Sequence, residues 1–294
     1  MPQTEEQIEE QIKSDFTKVL NRHGYGFHYS VLKKLYELNR EGKSSLVFET
    51  VEFPVEIKGF DTRIDIVLKR RESRDSPFFV LAECKRANPA ISNWCFVKAP
   101  YTNRKFWAKN EEPVFLEYIR VDGRDITAYA KPRSFMKNIY HVGLEVRSNE
   151  KGDSQGASGR AIEDASTQIL RGLNGFVQTL RNNIQLIGEF TNANVLPVIF
   201  TTAQLWASDV NLSEGEIESG KNNLDGVPFR KVSWLCYQYH LSPGIKHDQS
   251  PDKRPSQISD LITTEYIRTI PIVNVEGIGE FTKWASYQID LDDY

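Results

Sequence analysis

Cysteine is scarce in this sequence: the 294 residues include three, Cys84, Cys95 and Cys236. An odd, widely spaced set supplies neither a disulfide framework nor the paired CxxC ligands of a zinc site. The expectation is a reducing, cytoplasmic setting. Long apolar runs are also missing, and no stretch approaches the roughly 18 residues that a membrane-spanning helix requires. The opening MPQTEEQIEEQIK is acidic and polar where a secretory signal would be basic and then apolar. No membrane partner is expected. An excess of one charge is lacking too, with 37 basic against 40 acidic residues. What is present is 39% hydrophobic and 11% aromatic residues, which excludes disorder throughout. That content supports one elaborated domain or two.

The balanced charge conceals an uneven distribution. Residues 69–137 hold 15 basic and 8 acidic side chains, while the rest of the chain holds 22 and 32. Such asymmetry fits a polyanion-facing surface on an otherwise acidic protein, and a merely solvated face is its ordinary alternative. Within 93–147 the basic residues are interleaved with aromatics, the combination that contacts phosphates and stacks bases.

Periodicity gives the outline. Ile8, Ile12, Phe16, Val19 and Leu20, then Val31, Leu32, Leu35, Tyr36 and Leu38, recur at helical spacing on either side of a glycine-broken RHGYGF. LVFETVEFPVE and TRIDIVLK read as paired strands about a Lys58-Gly59 turn, and FFVLAECK as a buried third strand. A β-rich insertion at about 90–150, with a VDGRD hairpin turn at Val121 to Asp125, ends in the linker KGDSQGASG. A long amphipathic helix follows from about Arg160 to Asn182, then the strand NVLPVIFTTA and the strand-like VSWLCYQYHL and RTIPIVNV. The fold class is therefore α/β with a mixed, α+β sheet. Residues 1–204 form the core with its insertion, and 205–294 a C-terminal elaboration packed on it.

The chemistry concentrates in two strands. Asp is disfavoured inside strands, yet Asp65 lies between Ile64 and Ile66. Period-two alternation places Arg63, Asp65 and Val67 on one face and Ile64, Ile66 and Leu68 on the other. FFVLAECK ends with Glu83 and Lys85 on one face, and the spacing from Asp65 lets the two strands be neighbours. Two carboxylates and one backbone carbonyl, here that of Cys84, suit Mg²⁺, which prefers hard oxygen ligands and retains several waters. Lys85 beside them could stabilise charge on a phosphoryl group, so phosphodiester hydrolysis is the natural reaction. The Cys84 side chain points away and reads as a small core residue.

This pattern, RID at Arg63 to Asp65 followed by ECK at Glu83 to Lys85, resembles the D…ExK signature of the restriction-endonuclease-like PD-(D/E)XK nuclease superfamily. The resemblance runs from about Thr4 to Ala203 and implies a core of helix, three strands, helix, strand. It implies Asp65 and Glu83 as metal ligands, Lys85 as the catalytic lysine, and Mg²⁺ as cofactor with Mn²⁺ able to substitute. Ile64 stands where the superfamily's named proline would be. For the glutamate often found on the first helix the alternatives are Glu9, Glu10 and Glu37; for the glutamine on the later helix the candidate is Gln168. The implied function is an endonuclease acting on DNA more than RNA, in restriction or anti-phage defence, as a homodimer or partner-built assembly. The alternative is a catalytically inactive nucleic-acid-binding or regulatory subunit of the same fold. Arg86, Arg104 and Lys105 are the expected nucleic-acid contacts, together with Lys69 to Arg71. The five histidines, among them His28, show no metal-ligand spacing and read as surface or core residues.

Overall fold

The structure, a computed structural model, describes residues 4–22, 24–57, 59–70, 76–99, 112–123, 125–146, 160–183, 191–212, 219, 224–240 and 266–287. Two helices come first, α1 (Glu5–Arg22) and α2 (Tyr25–Arg40). They part at Gly24, whose φ of 74° lies in the left-handed region that glycine adopts without a Cβ clash. On α2 the buried residues His28, Val31, Leu35 and Leu38 follow the 3-4-3 spacing of a single helical stripe. The stripe foreseen on α1 is not a core face: Ile8, Ile12, Phe16 and Val19 are exposed.

An antiparallel meander follows, β1 (Leu46–Ile57), β2 (Phe60–Arg70) and β3 (Phe78–Lys85). The insertion contributes β4 (Asn93–Lys98), β5 (Glu112–Asp122), β6 (Asp125–Met136), β7 (Ile139–Tyr140) and β8 (Val142–Val146). After α3 (Ala161–Asn182) come β9 (Asn192–Thr201), β10 (Gln204–Asn211), β11 (Arg230–Val232), β12 (Trp234–His240), β13 (Ile267–Asn274) and the helix α4 (Ile278–Tyr287). The main sheet runs β1-β2-β3-β9-β13-β12-β7, with β5 and β6 joined through β9. Parallel pairs (β3 with β9, β9 with β13) and antiparallel pairs mix in it, giving the expected α+β architecture. A second sheet, β11-β10-β4-β8, stands beside it. No helix among the described residues is long and apolar enough to cross a membrane.

One apolar cluster lies on each face of the main sheet. α3 buries Ile169, Leu170, Leu173 and Val177 against Ile64, Val67 and Leu81. On the other face α2 and α4 bury Val31, Leu35, Phe281 and Trp284 against Ile66, Leu68 and Val80. Ile64 and Ile66 therefore face opposite cores, which corrects the strict alternation expected for β2. The slip falls at Asp65, where two local irregularities coincide. The β2–β3 ladder ends at the pair Ile66 and Ala82, and Glu52, opposite Asp65 between the pairs Val51–Ile66 and Phe53–Ile64, has a φ of 48°. Beyond the last ladder pair the strand is free to turn, and α3 captures Ile64. That capture is close: a Cβ on Gly172 would lie 2.9 Å from Ile64, and one on Gly175 2.7 Å from Val55.

Two further expectations are adjusted. Of the segment 205–294, expected to pack on the core as an elaboration, β13 lies within the main sheet itself, between β9 and β12. In the insertion, Trp94, Phe96 and Tyr140 are 1% exposed or less and belong to the core, so they cannot stack bases. Tyr101, Phe106 and Trp107 lie outside the described residues.

Candidate metal centre

The site forms where β2 and β3 part. Asp65 lies one residue before the final ladder pair, and its Oδ2 accepts a hydrogen bond from the Cys84 amide at 2.7 Å. A side chain thus takes the place of the next backbone partner and is held by it. In an extended strand the amide and carbonyl of one residue point to the same edge, so the Cys84 carbonyl also faces β2. The Cys84 side chain packs toward the α2 and α4 cluster, and burial raises its thiol well above the ordinary range. It serves as a core residue, as the sequence indicated.

Glu83 is 4% exposed. Burial first, then the neighbouring charge of Asp65, pushes its carboxyl up to about 9, while the Lys85 ammonium acts in the opposite direction. Asp65 is raised by burial as well, partly offset by the Cys84 amide and the nearby His28 and Lys85. The structure thus brings Asp65, Glu83 and Lys85 into one electrostatic neighbourhood. A buried carboxyl relieves its cost by keeping its proton or by meeting a cation. For Glu83 burial is the larger cause, and Lys85 opposes it only in part. Carboxylate oxygens at a strand end are the donor type that a divalent cation takes, so the residues present fit one.

Two more residues complete the neighbourhood. The pairing of Ile57 with Phe60 across the β1–β2 turn sets a register that brings Glu52 opposite Asp65. His28, leading the buried stripe of α2, places its Nδ1 3.3 Å from Glu52 Oε1. His28, Glu52 and Asp65 each offer a ligand atom, and these atoms lie within 4.8 Å of one another. Glu52 also meets Arg63 at 3.7 Å. Neither His28 nor Glu52 was singled out as a ligand from the sequence. The hairpin register was a usable signal for Glu52; for His28 the only signal was its place at the head of an apolar stripe.

The other candidates lie elsewhere. Glu37 is nine residues beyond His28 on α2, about 13 Å further along the axis. Glu9 and Glu10 are exposed on α1, where Glu9 pairs with Lys13 at 2.6 Å. Gln168 is half-buried on α3, one turn before Gly172. Arg86 is exposed immediately after the motif. Lys69 and Arg70 lie over the rings of Phe79 and Phe78, at 5.8 and 5.5 Å, towards the end of β2 away from Asp65. Arg71, Arg104 and Lys105 lie outside the described residues. A polar groove of about 510 Å³ runs between the β1–β2 hairpin and the end of α3, lined by Arg63, Thr179 and Asn182 but not by Asp65, Glu83 or Lys85.

Comparison with family models, curated proteins and solved structures gives no match to this chain.

Proposed function

We propose that this chain is a metal-dependent nuclease of the restriction-endonuclease-like PD-(D/E)XK type, hydrolysing phosphodiester bonds of DNA in preference to RNA. The observation that carries the reading is the placing of Asp65, Glu83 and Lys85 at the open end of the β2–β3 ladder, where the Cys84 amide holds Asp65 and both carboxyls are raised. A strand end is a rigid support, and rigid placement of charge is what a hydrolytic site requires.

Asp65 and Glu83 would hold the cation, Mg²⁺ or Mn²⁺, with the Cys84 carbonyl on the same edge as a third donor. When bound, such an ion polarises a phosphodiester and lowers the pKa of a water. The chain's own contributions are distinct from that. The Cys84 amide fixes the orientation of Asp65. Lys85, two residues beyond Glu83 on the same strand, presents an ammonium to the phosphoryl oxygens on which charge accumulates. Arg86, exposed beside it, engages the flanking backbone. A role in restriction or anti-phage defence, and a homodimer or partner-built assembly that presents two such sites, are the biological part of the proposal.

The test uses the purified full chain with plasmid DNA, single-stranded DNA and RNA, in Mg²⁺ or Mn²⁺ and then with chelator. Cleavage that chelation stops, and that Lys85→Ala and Asp65→Asn each reduce by at least about 100-fold without unfolding, is the expected result. Absence of cleavage under every condition would sink the catalytic reading in favour of a binding or regulatory subunit. Full activity in either variant would show that the site is elsewhere.

A further inference from the structure

We infer that His28 and Glu52 are direct ligands in this centre, and that they make it select a first-row transition ion of the Mn²⁺ class over Mg²⁺. The inference builds on the metal-dependent reading above and concerns which ion the site takes.

The first support is spacing. Donors about 2.0–2.2 Å from one ion stand roughly 3 Å apart when adjacent and somewhat over 4 Å when opposite. The His28 Nδ1 to Glu52 Oε1 separation of 3.3 Å fits adjacent positions. The ligand atoms of His28, Glu52 and Asp65 all lie within 4.8 Å of one another, close to the span of one coordination shell. Small side-chain rotations would bring them onto one ion.

Burial is the second support. His28 is 5% exposed, and its Nδ1 is turned toward Glu52. It opens an apolar stripe, at a position where Val31, Leu35 and Leu38 continue with aliphatic side chains. Packing alone would be met by another aliphatic residue. Its polar ring is explained by the carboxylates it faces.

The third support is ligand chemistry. Mg²⁺ takes oxygen donors and releases water reluctantly, so a nitrogen in its shell is unfavourable. Imidazole suits transition ions, whereas carboxylate, carbonyl and water suit Mg²⁺, Ca²⁺ and Mn²⁺. A mixed shell of the His28 imidazole with the Glu52 and Asp65 carboxylates therefore matches Mn²⁺, which accepts both donor types. The β1–β2 register and the start of α2 supply these ligands independently of the ExK strand.

The experiment measures metal binding by the full chain without nucleic acid. Titration calorimetry should give a Kd for Mn²⁺ at least tenfold below that for Mg²⁺. Pulsed electron paramagnetic resonance of the Mn²⁺ complex should show coupling to a single imidazole nitrogen. In His28→Ala that coupling should vanish and Mn²⁺ affinity should fall about tenfold or more, while Mg²⁺ affinity changes less than about threefold. His28→Gln serves if the alanine variant unfolds, and the wild-type spectrum decides without any variant. Nitrogen-free Mn²⁺ spectra, no Mn²⁺ binding, or an unchanged Mn²⁺ to Mg²⁺ ratio in the variant would each overturn the inference. Nitrogen-coupled Mn²⁺ in a protein that cleaves nothing would leave the inference standing and sink the nuclease reading; cleavage without nitrogen coupling would do the reverse.

Discussion

Replacing Glu83 by glutamine removes a buried titratable carboxyl from the site while nearly keeping its shape. In the metal-free protein the Glu83 carboxyl is raised from 4.5 to about 9. A raised carboxyl contributes stability that is fully present below its unfolded value and is lost as pH climbs through the folded one. Metal-free wild type should therefore weaken steadily between about pH 4.5 and 9. At 1.36 kcal/mol for each tenfold change in proton affinity the whole interval corresponds to roughly 6 kcal/mol, most of it reached by pH 8. Relaxation and water entry reduce that ceiling, and a realised loss of about 2–4 kcal/mol is expected. Glu83→Gln should flatten the curve across this window, apart from a constant offset for the buried amide. Urea melts of both proteins in chelator, taken at intervals from pH 5 to 9, provide the measurement. Added divalent cation should restore wild type at high pH and do little for the variant. Parallel stability curves for the two proteins would refute the claim that an uncompensated Glu83 carboxylate weakens the metal-free fold.

Other expectations follow from the packing and from the basic segment. Gly175→Ala should destabilise the fold by about 1–2 kcal/mol in denaturant melts, because the clash with Val55 outweighs the gain in helix propensity; an increase in stability would show that α3 does not approach β1 so closely. The ion pair between Arg268 and Glu117, 2.6 Å apart and at most 1% exposed, predicts a loss of about 3–5 kcal/mol for Arg268→Met alone. Most of that loss should be recovered in the double variant with Glu117→Leu, and additive losses would refute the pairing. For the nucleic-acid contacts, Arg86→Ala, Arg104→Ala and Lys105→Ala should each weaken binding and lower the slope of affinity against salt by about one. An unchanged slope would remove that residue from the phosphate contacts.

The sequence disclosed those parts of the site that lie within a strand. Asp65, Glu83 and Lys85 were legible because an acidic residue inside an apolar strand, and a charged triplet ending one, stand out against the local pattern. The strand order β1-β2-β3 and the long helix α3 were equally visible as periodicity. The slip at Asp65 was not, because nothing in TRIDIVLK reveals where a ladder ends; it depends on α3 claiming Ile64 from a distance of about a hundred residues. His28 looked like any core histidine, since its partners arrive from β1 and β2. The place of β13 inside the sheet was hidden for the same reason: an apolar strand is equally apolar at an edge or in the middle.

That last strand bears on how the protein is made. A ribosome delivers β3 and β9, which carry or flank the ExK motif, well before β13, which pairs with both β9 and β12. Until residues 267–274 emerge, β12 has no route into the main sheet. Ser286, near the end of α4, then accepts from the Ser45 amide and, through its carbonyl, from Arg70, tying α4 to the start of β1 and the end of β2. A chain interrupted before that point would hold Asp65 and Glu83 on an unfinished sheet.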